Sequence, residues 1–131
     1  MEQVDESEQD VVLVHVWATW CPPCVEEFPA LVRLHQTYHD KGLKLILLSA
    51  DAPDAKERVR AFLNKHESPV GTLIARNLDP AFITALSPEW SGALPASFFF
   101  GENGELVDWW EGKRACDEYR KTVEKHRRMS Q

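Results

Sequence analysis

The sequence predicts an α/β fold with a mixed central sheet flanked by helices, and three observations support this. Two apolar runs of strand length, Val11 to Trp17 and Leu43 to Ser49, show little polar–apolar alternation, which is typical of strands buried on both faces. Apolar side chains at helical spacing follow each run, which predicts helices that join parallel strands. Gly101 to Gly104 contains Asn-Gly between two further apolar runs, and this pattern predicts an antiparallel hairpin.

The individual elements follow from apolar spacing and from residues that begin or end helices. Pro23 marks the start of the first helix and Lys41-Gly42 its end. Pro29 inside that helix is expected to kink it, because proline lacks a backbone donor. The later predicted elements, in chain order, are a helix over Asp54 to Glu67, a short strand over Val70 to Ala75, a helix over Pro80 to Leu86 capped by Asp79, strands over Ala96 to Phe100 and Glu105 to Trp110, and a last helix over Ala115 to Met129.

Length and composition predict a single domain. The chain has 131 residues, an ordinary size for one domain. Residues 1–10 carry five acidic side chains and one aliphatic side chain, which predicts a mobile lead-in. Residues 11–131 contain no repeat, low-complexity tract or linker. We therefore expect one domain over residues 11–131, large enough to fold without metal or disulfide staples.

The charge balance excludes several classes of function. Lys and Arg together number 15 and Asp and Glu number 21, which gives a net charge of −6. Nucleic-acid binders and anionic-membrane binders depend on concentrated positive charge, so neither kind of partner is expected. The longest apolar runs have the length of a strand, so no segment is expected to span a bilayer.

The beginning of the sequence bears on the cellular compartment. Met1 to Asp10 is acidic and polar, whereas a secretory signal needs a basic end followed by an apolar stretch. The sequence alone therefore predicts either a cytosolic protein or one from which a leader has been removed.

The segment Trp17 to Cys24, Trp-Ala-Thr-Trp-Cys-Pro-Pro-Cys, is the strongest functional signal in the sequence. It leaves a buried strand and opens a helix, which places Cys21 at a helix N-terminus. Unpaired amides and the helix dipole at such a position lower a thiol pKa from about 8.5 towards neutrality. Cys24 lies one turn further on, close enough for a disulfide with Cys21, and Pro23 fixes φ where the helix begins. Trp20 and Pro22 complete the motif as supporting residues.

The motif predicts thiol–disulfide exchange in which Cys21 attacks a partner's disulfide and Cys24 resolves the mixed disulfide. A zinc site is the alternative for two cysteines at this spacing, but zinc needs two more ligands. Cys116 and the five histidines are scattered, and there is no second pair at ligand spacing. We therefore expect no metal and no bound cofactor. Three cysteines are also too few for a disulfide-scaffold protein.

The same motif resembles the active site of the thioredoxin superfamily, and most closely that of the TlpA/ResA-like thiol–disulfide oxidoreductases. The resemblance extends from Val11 to about Val123. It includes Pro29, five residues beyond the second cysteine, and Leu94 to Phe100, where the family places a cis-proline before a strand. It implies a thioredoxin-like fold with an extra β-α insertion between the second and third main strands.

The resemblance also implies how the site works. Pro95 would be cis and would face the dithiol, and the backbone of Leu94 would pair with an extended substrate segment. A trans turn proline after Gly92-Ala93 is the alternative. The partners would be protein or peptide disulfide substrates and an upstream electron-donor protein. Members of this group usually work outside the cytoplasm, which implies a periplasmic or other extracytoplasmic location, with the cytoplasm as the alternative, and we expect a monomer.

Three positions depart from the family pattern or leave two interpretations open. His15 stands where thioredoxins carry a buried Asp and the TlpA/ResA group often an Asn. It would either shuttle the proton of Cys24 or remain a neutral core histidine bonded to backbone. Glu27 matches a carboxylate that ResA-like members place near the dithiol, and a solvated surface glutamate is the alternative. Ala96 follows the proline where the haem-maturation branch favours an acid, which argues against that branch.

Three functions from different classes remain to be compared. The first is a dithiol–disulfide oxidoreductase that acts on protein partners. The second is a peroxidase of the peroxiredoxin type, which needs a Thr three residues before the reactive Cys. Ala18 occupies that place and Thr19 is one residue too close. The third is a thioredoxin-like module that only binds peptides, and the presence of both cysteines argues against it.

The surroundings of the motif predict a reductant of partner disulfides. The helix dipole favours a thiolate at Cys21, whereas the acids Glu26 and Glu27 and apolar cover from Trp17 and Trp20 disfavour it. No Lys or Arg occurs in residues 1–32 to offset those acids. We therefore expect a reduction potential on the order of −220 to −270 mV.

Two further positions carry structural predictions. Cys116 falls on the apolar side of the last helix with Tyr119 and Val123, and it is expected to be buried as a small hydrophobic side chain. Trp109 and Trp110 are consecutive residues of a strand, so they are expected to point to opposite faces of the sheet, one of them into the core.

Overall fold

The computed structural model describes residues 10–74 and 87–129, without the side chains of residues 128 and 129. Most of the predicted lead-in over residues 1–10 lies outside the described residues. The predicted helix over Pro80 to Leu86, with its cap Asp79, also lies outside them.

The described residues form one mixed sheet of five strands. The strands are β1 (Val11–Trp17), β2 (Leu43–Ser49), β3 (Thr72–Ile74), β4 (Ala96–Phe100) and β5 (Leu106–Glu111). Their order across the sheet is β3-β2-β1-β4-β5. β1, β2 and β3 are parallel, and β4 and β5 run antiparallel to their neighbours. The predicted fold class is therefore confirmed.

Three α-helices connect and cover these strands in the described residues. They are α1 (Pro22–Tyr38), α2 (Lys56–Lys65) and α3 (Cys116–Met129), and a single 3-10 turn over Pro53–Ala55 precedes α2. α1 begins one residue earlier than predicted and ends before Lys41-Gly42. α2 is shorter than predicted, since the chain leaves the helix near Glu67, where φ is 53°.

The sheet separates two apolar clusters. One cluster combines β1, β2, β4 and β5 with all three helices, and its largest side chains include Trp17, Phe28 and Tyr119. The other lies on the opposite face around Val16, Trp90 and Phe98. Trp110 belongs to the first cluster and Trp109 packs against the second, so their predicted division between the faces is confirmed.

The fold places the motif at the carboxyl ends of two parallel strands. β1 ends at Trp17, and the backbone N–H of Ala50, just beyond β2, donates to the carbonyl of Trp17 at 2.7 Å. Residues that follow neighbouring parallel strands meet at one edge of the sheet, which is the usual place for ligands in such folds. In the described ranges no helix has the length and apolar character needed to cross a membrane.

Candidate active site

Cys21 and Cys24 form a disulfide at the start of α1, with their Cα atoms 5.2 Å apart. Cys21 is the N-cap residue of the helix, in an extended conformation with φ of −104° and ψ of 105°. Its Sγ accepts a hydrogen bond from the backbone N–H of Cys24 at 3.3 Å. The predicted position of Cys21 at a helix N-terminus is confirmed. Pro22 and Pro23 occupy the first helical positions, where a missing N–H removes no helical hydrogen bond.

The two cysteines differ in access more than in total burial. Cys21 is 5% exposed and Cys24 is 1% exposed. Only Cys21 of the pair lines the groove beside the motif. Trp17 is fully buried, whereas Trp20 is 60% exposed and lines the groove together with Cys21.

A shallow groove of about 530 Å³ runs beside Cys21, and we call it the Cys21 groove. It is lined by Trp20, Cys21, Pro22, Ala50, Gly92, Ala93 and Leu94. The Leu94–Pro95 peptide bond, at the end of this lining, is cis rather than the trans alternative. The fold thus brings Leu94 and Cys21, far apart in sequence, to the same surface.

The loop that carries Leu94 is fixed from both sides. The indole N–H of buried Trp90 donates to the carbonyl of Ala93 at 3.0 Å. The carbonyl of Pro95 accepts from the backbone N–H of Gly112 at 2.8 Å. These bonds hold the wall of the groove against the end of β5.

Glu27 is buried on the same side of α1 as Cys24, with 3% of its surface exposed. Its Oε2 accepts from the Tyr119 hydroxyl at 2.7 Å and from the backbone N–H of Arg114 at 2.9 Å. The interpretation of Glu27 as a solvated surface residue is therefore wrong. Burial raises the pKa of the Glu27 carboxyl, against the hydrogen bonds from Arg114 and Tyr119 that act to lower it.

His15 faces Glu27 from β1 and is fully buried. Its Nδ1 is hydrogen-bonded to the Ser97 hydroxyl at 2.9 Å, and its Nε2 lies 3.3 Å from Oε1 of Glu27. These partners are side chains, so the expected bond from His15 to backbone is wrong. Burial lowers the pKa of His15 to about 3, so the ring is neutral at physiological pH. Neither Nε2 of His15 nor Oε1 of Glu27 has a hydrogen-bond partner among the described residues.

A second buried carboxylate, Asp51, which was not predicted as a site residue, holds the turn that precedes the dithiol. Its Oδ1 accepts from the Thr19 hydroxyl at 2.6 Å. Its Oδ2 accepts from the Thr19 N–H at 3.0 Å and from the Ser49 hydroxyl at 2.7 Å. Nη2 of Arg58 lies 3.5 Å from Oδ1. We call Thr19, Ser49, Asp51 and Arg58 the Asp51 network.

The pKa of Asp51 follows from this network. Burial acts to raise the pKa, but the hydrogen bonds from Thr19, Ser49 and Arg58 outweigh it and hold the pKa below its usual range. The available sequence signal was two polar residues, Ser49 and Asp51, at the end of a buried strand parallel to the one that leads into the motif.

A basic side chain from the C-terminal part of the chain contacts an acid near the dithiol. Nζ of Lys113 lies 2.8 Å from Oε1 of Glu26, in an exposed ion pair. The backbone of Arg114 contacts Glu27, as described above. No basic residue lies near these acids in the sequence, but the fold brings Lys113 to Glu26 from the segment before α3.

Cys116 does not line the Cys21 groove. It is half-buried, so the expectation of a fully buried thiol is wrong. Its Sγ lies 3.7 Å from the carbonyl oxygen of Ala30, where α3 packs against α1. Tyr119 and Val123, on the same side of α3, are fully buried.

In the part of the chain that the structure describes, no three His, Cys, Asp or Glu side chains are grouped as metal ligands.

Comparison with curated proteins identifies redox relatives. The chain is 30% identical over 97 residues to the thiol-disulfide oxidoreductase ResA of Bacillus thuringiensis (strain Al Hakam), which covers 74% of this chain and 52% of ResA. The chain thus spans about half the length of the curated relatives it matches.

Comparison with solved structures identifies the fold. A thiol:disulfide interchange protein of the thioredoxin family from Chlorobium tepidum TLS superposes with a TM-score of 0.77 at 21% identity, covering 92% of this chain and 82% of that one. A secreted thiol-disulfide isomerase from Corynebacterium glutamicum gives a TM-score of 0.78 at 14% identity, covering 95% of this chain and 75% of that one. At these identities the likeness shows the fold, which is thioredoxin-like.

A family model described as the AhpC/TSA family matches residues 2–108, which is most of the sequence. This match agrees with the fold, with the disulfide at the start of α1 and with the relatives above. The chain belongs to the AhpC/TSA family of thioredoxin-like proteins.

Proposed function

We propose that this protein is a thiol–disulfide oxidoreductase that exchanges its Cys21–Cys24 pair with disulfides of partner proteins. The observation that carries the proposal is the position of Cys21. Its Sγ caps α1 and accepts the N–H of Cys24, and the residue lines an apolar groove. A helix N-terminus stabilises a thiolate, and a groove beside it offers space for the substrate chain.

In the first step, the Cys21 thiolate of the reduced protein attacks one sulfur of a substrate disulfide. A new bond forms between Cys21 and that sulfur, the substrate S–S bond breaks, and the departing thiolate takes a proton from solvent. Hydrogen bonding and the helix dipole act on Sγ of Cys21 and favour it as the attacking atom.

In the second step, the Cys24 thiolate attacks Sγ of Cys21 and releases the second substrate sulfur as a thiol. The substrate has then gained two electrons and two protons, and the protein holds the Cys21–Cys24 disulfide. A further turnover needs an upstream electron-donor protein that reduces this disulfide by the same exchange.

Resolution requires that Cys24 lose its proton, and Glu27 is the better placed acceptor. Side chains three positions apart on a helix are neighbours, and both residues are buried on one side of α1. Burial raises the pKa of Glu27, which strengthens it as a base. His15 is a weak base, since burial lowers its pKa to about 3, so we assign it the positioning of Glu27.

The peroxidase alternative is disfavoured by the contacts of Thr19. The Thr19 hydroxyl donates to Asp51 at 2.6 Å and accepts from Nε of Arg58 at 3.0 Å. Both contacts use the hydroxyl within the Asp51 network, and Ala18 supplies no hydroxyl at the position that a peroxidase needs.

The proposal also includes the cellular location, the domain organisation and the oligomeric state of the protein. We assign an extracytoplasmic location, supported by the similar Corynebacterium glutamicum protein that is described as secreted. We also assign a single domain over residues 11–131 that acts as a monomer. Sequencing the N-terminus of the mature protein in its host and measuring its mass in solution would test these assignments.

The proposed activity is tested by insulin reduction beside peroxide consumption. The wild-type protein should reduce insulin with dithiothreitol as the electron donor, and Cys21→Ser should lose this activity. Cys24→Ser should trap mixed disulfides with substrate proteins, because the second attack is missing. The matched control, Cys116→Ser, should keep wild-type activity. Peroxide consumption without insulin reduction would instead establish the peroxidase.

A further inference from the structure

The Asp51 network presents a cation beside the Cys21 groove. Nε of Arg58 donates to the Thr19 hydroxyl at 3.0 Å, and Nη2 lies 3.5 Å from Oδ1 of Asp51. The Arg58 side chain is nevertheless 61% exposed. Two contacts thus fix the guanidinium while much of it remains open to solvent.

Arg58 contacts two residues that are chain neighbours of the groove lining. Thr19 precedes Trp20 in the chain, and Asp51 follows Ala50, and both Trp20 and Ala50 line the groove. The guanidinium is thus held by the chain neighbours of Trp20 and Ala50, and Arg58 itself is not among the lining residues. Thr19 is two residues from Cys21, a chain distance of about 7 Å at most.

A negative charge is held by the chain neighbour of another part of the lining, the Gly92 to Leu94 segment. The backbone N–H and hydroxyl of Ser91 both donate to the carboxylate of Glu111, at 2.9 Å and 3.1 Å. Ser91 precedes Gly92, which lines the groove beside Leu94. The lining itself is mostly apolar. A cation is therefore held next in the chain to Trp20 and Ala50, and an anion next in the chain to Gly92.

We propose that Arg58 is a specificity-determining residue that binds a carboxylate of the substrate. The preferred substrate is an extended segment that carries Asp or Glu within about four residues of its disulfide cysteine, a reach set by the advance of about 3.3 Å per extended residue. The inference rests on the proposed function, because it names the substrate class of the same groove.

Anchoring by Asp51 and Thr19 suits the guanidinium to this task. A long side chain that is already held loses less conformational freedom when it binds a ligand. The planar guanidinium also presents several N–H donors in a geometry that matches a carboxylate. With a net charge of −6 on the chain, a fixed cation next to the dithiol selects substrates that the rest of the surface repels.

The test uses pre-reduced protein and short synthetic peptides that are homodimers linked by one disulfide. Each peptide carries a single Glu, Gln or Lys at one of the four positions on either side of its cysteine. Second-order rate constants for peptide reduction are measured for the wild type, Arg58→Ala, Arg58→Lys and Arg60→Ala. Arg60 is the matched control, an exposed arginine on α2 that pairs with Glu57.

For at least one position, the wild type should reduce the Glu peptide about two- to fivefold faster than the Gln peptide, the range expected of an exposed charge pair. Arg58→Ala should lower the rate constant for the Glu peptide more than that for the Gln peptide and bring this ratio to about one. Arg58→Lys should keep part of the preference, Arg60→Ala should keep all of it, and raised salt should reduce it.

The inference is overturned if the wild type shows no Glu preference at any position, or if Arg58→Ala retains the preference. If Arg58→Ala lowered the rate constants for all peptides by the same factor, the inference would also be overturned, since Arg58 would then act only on the dithiol turn. A wild-type protein that reduces no peptide would overturn the proposed function, and this outcome differs from the other three.

Discussion

Two buried carboxylates follow the dithiol motif in the sequence, and their pKa values shift in opposite directions. Neither Asp51 nor Glu27 has exposed side-chain surface. Burial alone raises the pKa of both groups, yet the pKa of Asp51 is lowered and that of Glu27 is raised. Asp51 is therefore an anion at neutral pH, whereas the raised pKa brings Glu27 closer to taking up a proton.

The difference lies in how many donors reach each oxygen. Both oxygens of Asp51 accept hydrogen bonds from Thr19 or Ser49, and Arg58 adds a positive charge. Glu27 receives both of its donors on Oε2, whereas Oε1 faces the neutral ring of His15. A buried carboxylate is therefore a fixed structural anion where donors surround it, and a proton-exchanging group where one oxygen is left without a donor.

Asp51→Ala should have the largest effect on stability. Removal of Asp51 leaves three buried or half-buried donors without their acceptor, which costs about 3 kcal/mol of the free energy of unfolding. Urea denaturation at neutral pH measures this loss. The folded pKa of Asp51 lies below its unfolded value of about 3.9, so the difference from wild type should persist above pH 4 and shrink as pH falls further.

The matched control for this experiment is Asp54→Ala, which changes an exposed acid three residues along the chain. Its free energy of unfolding should stay within about 0.5 kcal/mol of wild type. Equal losses in the two variants would show that the Asp51 network does not stabilise the fold.

His15→Asn should change how stability depends on pH. The folded His15 has a pKa of about 3, whereas the unfolded residue titrates near 6.5. Below pH 6.5 only the unfolded state binds this proton, so wild-type stability should fall by up to about 1.4 kcal/mol per pH unit. The contribution is present above pH 6.5 and is lost as pH falls towards 3.

Denaturation at pH 7.5, 6 and 5 measures this slope, and His15→Asn should flatten it relative to wild type. His39→Asn, which changes an exposed histidine, is the control and should retain the wild-type slope. A variant His15→Asn with an unchanged slope would contradict a neutral, buried His15.

Glu27→Gln should increase the free energy of unfolding at neutral pH by about 1 kcal/mol. The side-chain oxygen of Gln can still accept from Tyr119 and Arg114, and its amide supplies a donor towards His15, which removes the cost of a buried oxygen without a donor. The folded pKa of Glu27 is raised, so the ionised form costs stability as pH rises above the unfolded pKa of about 4.3. The gain should vanish below that pH.

Glu26→Gln is the neighbouring control for this prediction, because Glu26 is exposed and paired with Lys113. It should leave stability and its pH dependence close to wild type. If Glu27→Gln instead lowered stability as Asp51→Ala does, the distinction between the two carboxylates would be lost.

The smallest expected effect is on the reduction potential. Equilibration with glutathione buffers should give a value on the order of −220 to −270 mV for the wild type. Lys113→Ala leaves the Glu26 carboxylate unpaired near the start of α1, which disfavours the Cys21 thiolate and should make the potential slightly more negative. A wild-type value more positive than about −160 mV would contradict the role of reductant.

Local patterns in the sequence were sufficient for most of the fold. The mostly apolar runs of β1 and β2 predicted parallel strands, and the Asn-Gly turn predicted the hairpin of β4 and β5. Burial of both faces was wrong for β2, where Lys44 is exposed and Ile46 and Leu48 are half-buried. Pro23, after a buried strand, predicted the place of Cys21 at a helix start. These predictions succeeded because each depends on residues that are close in the chain, where backbone geometry and side-chain periodicity decide the outcome.

The strands, the helices and the dithiol could thus be predicted from patterns that span a few residues. The surroundings of that dithiol depend instead on contacts between residues far apart in the chain. Asp51 reaches Thr19 across 32 residues, and Lys113 reaches Glu26 across 87. Tyr119 reaches Glu27 across 92 residues. Burial and charge at a site depend on which distant side chains the fold brings together, and neither periodicity nor spacing specifies that.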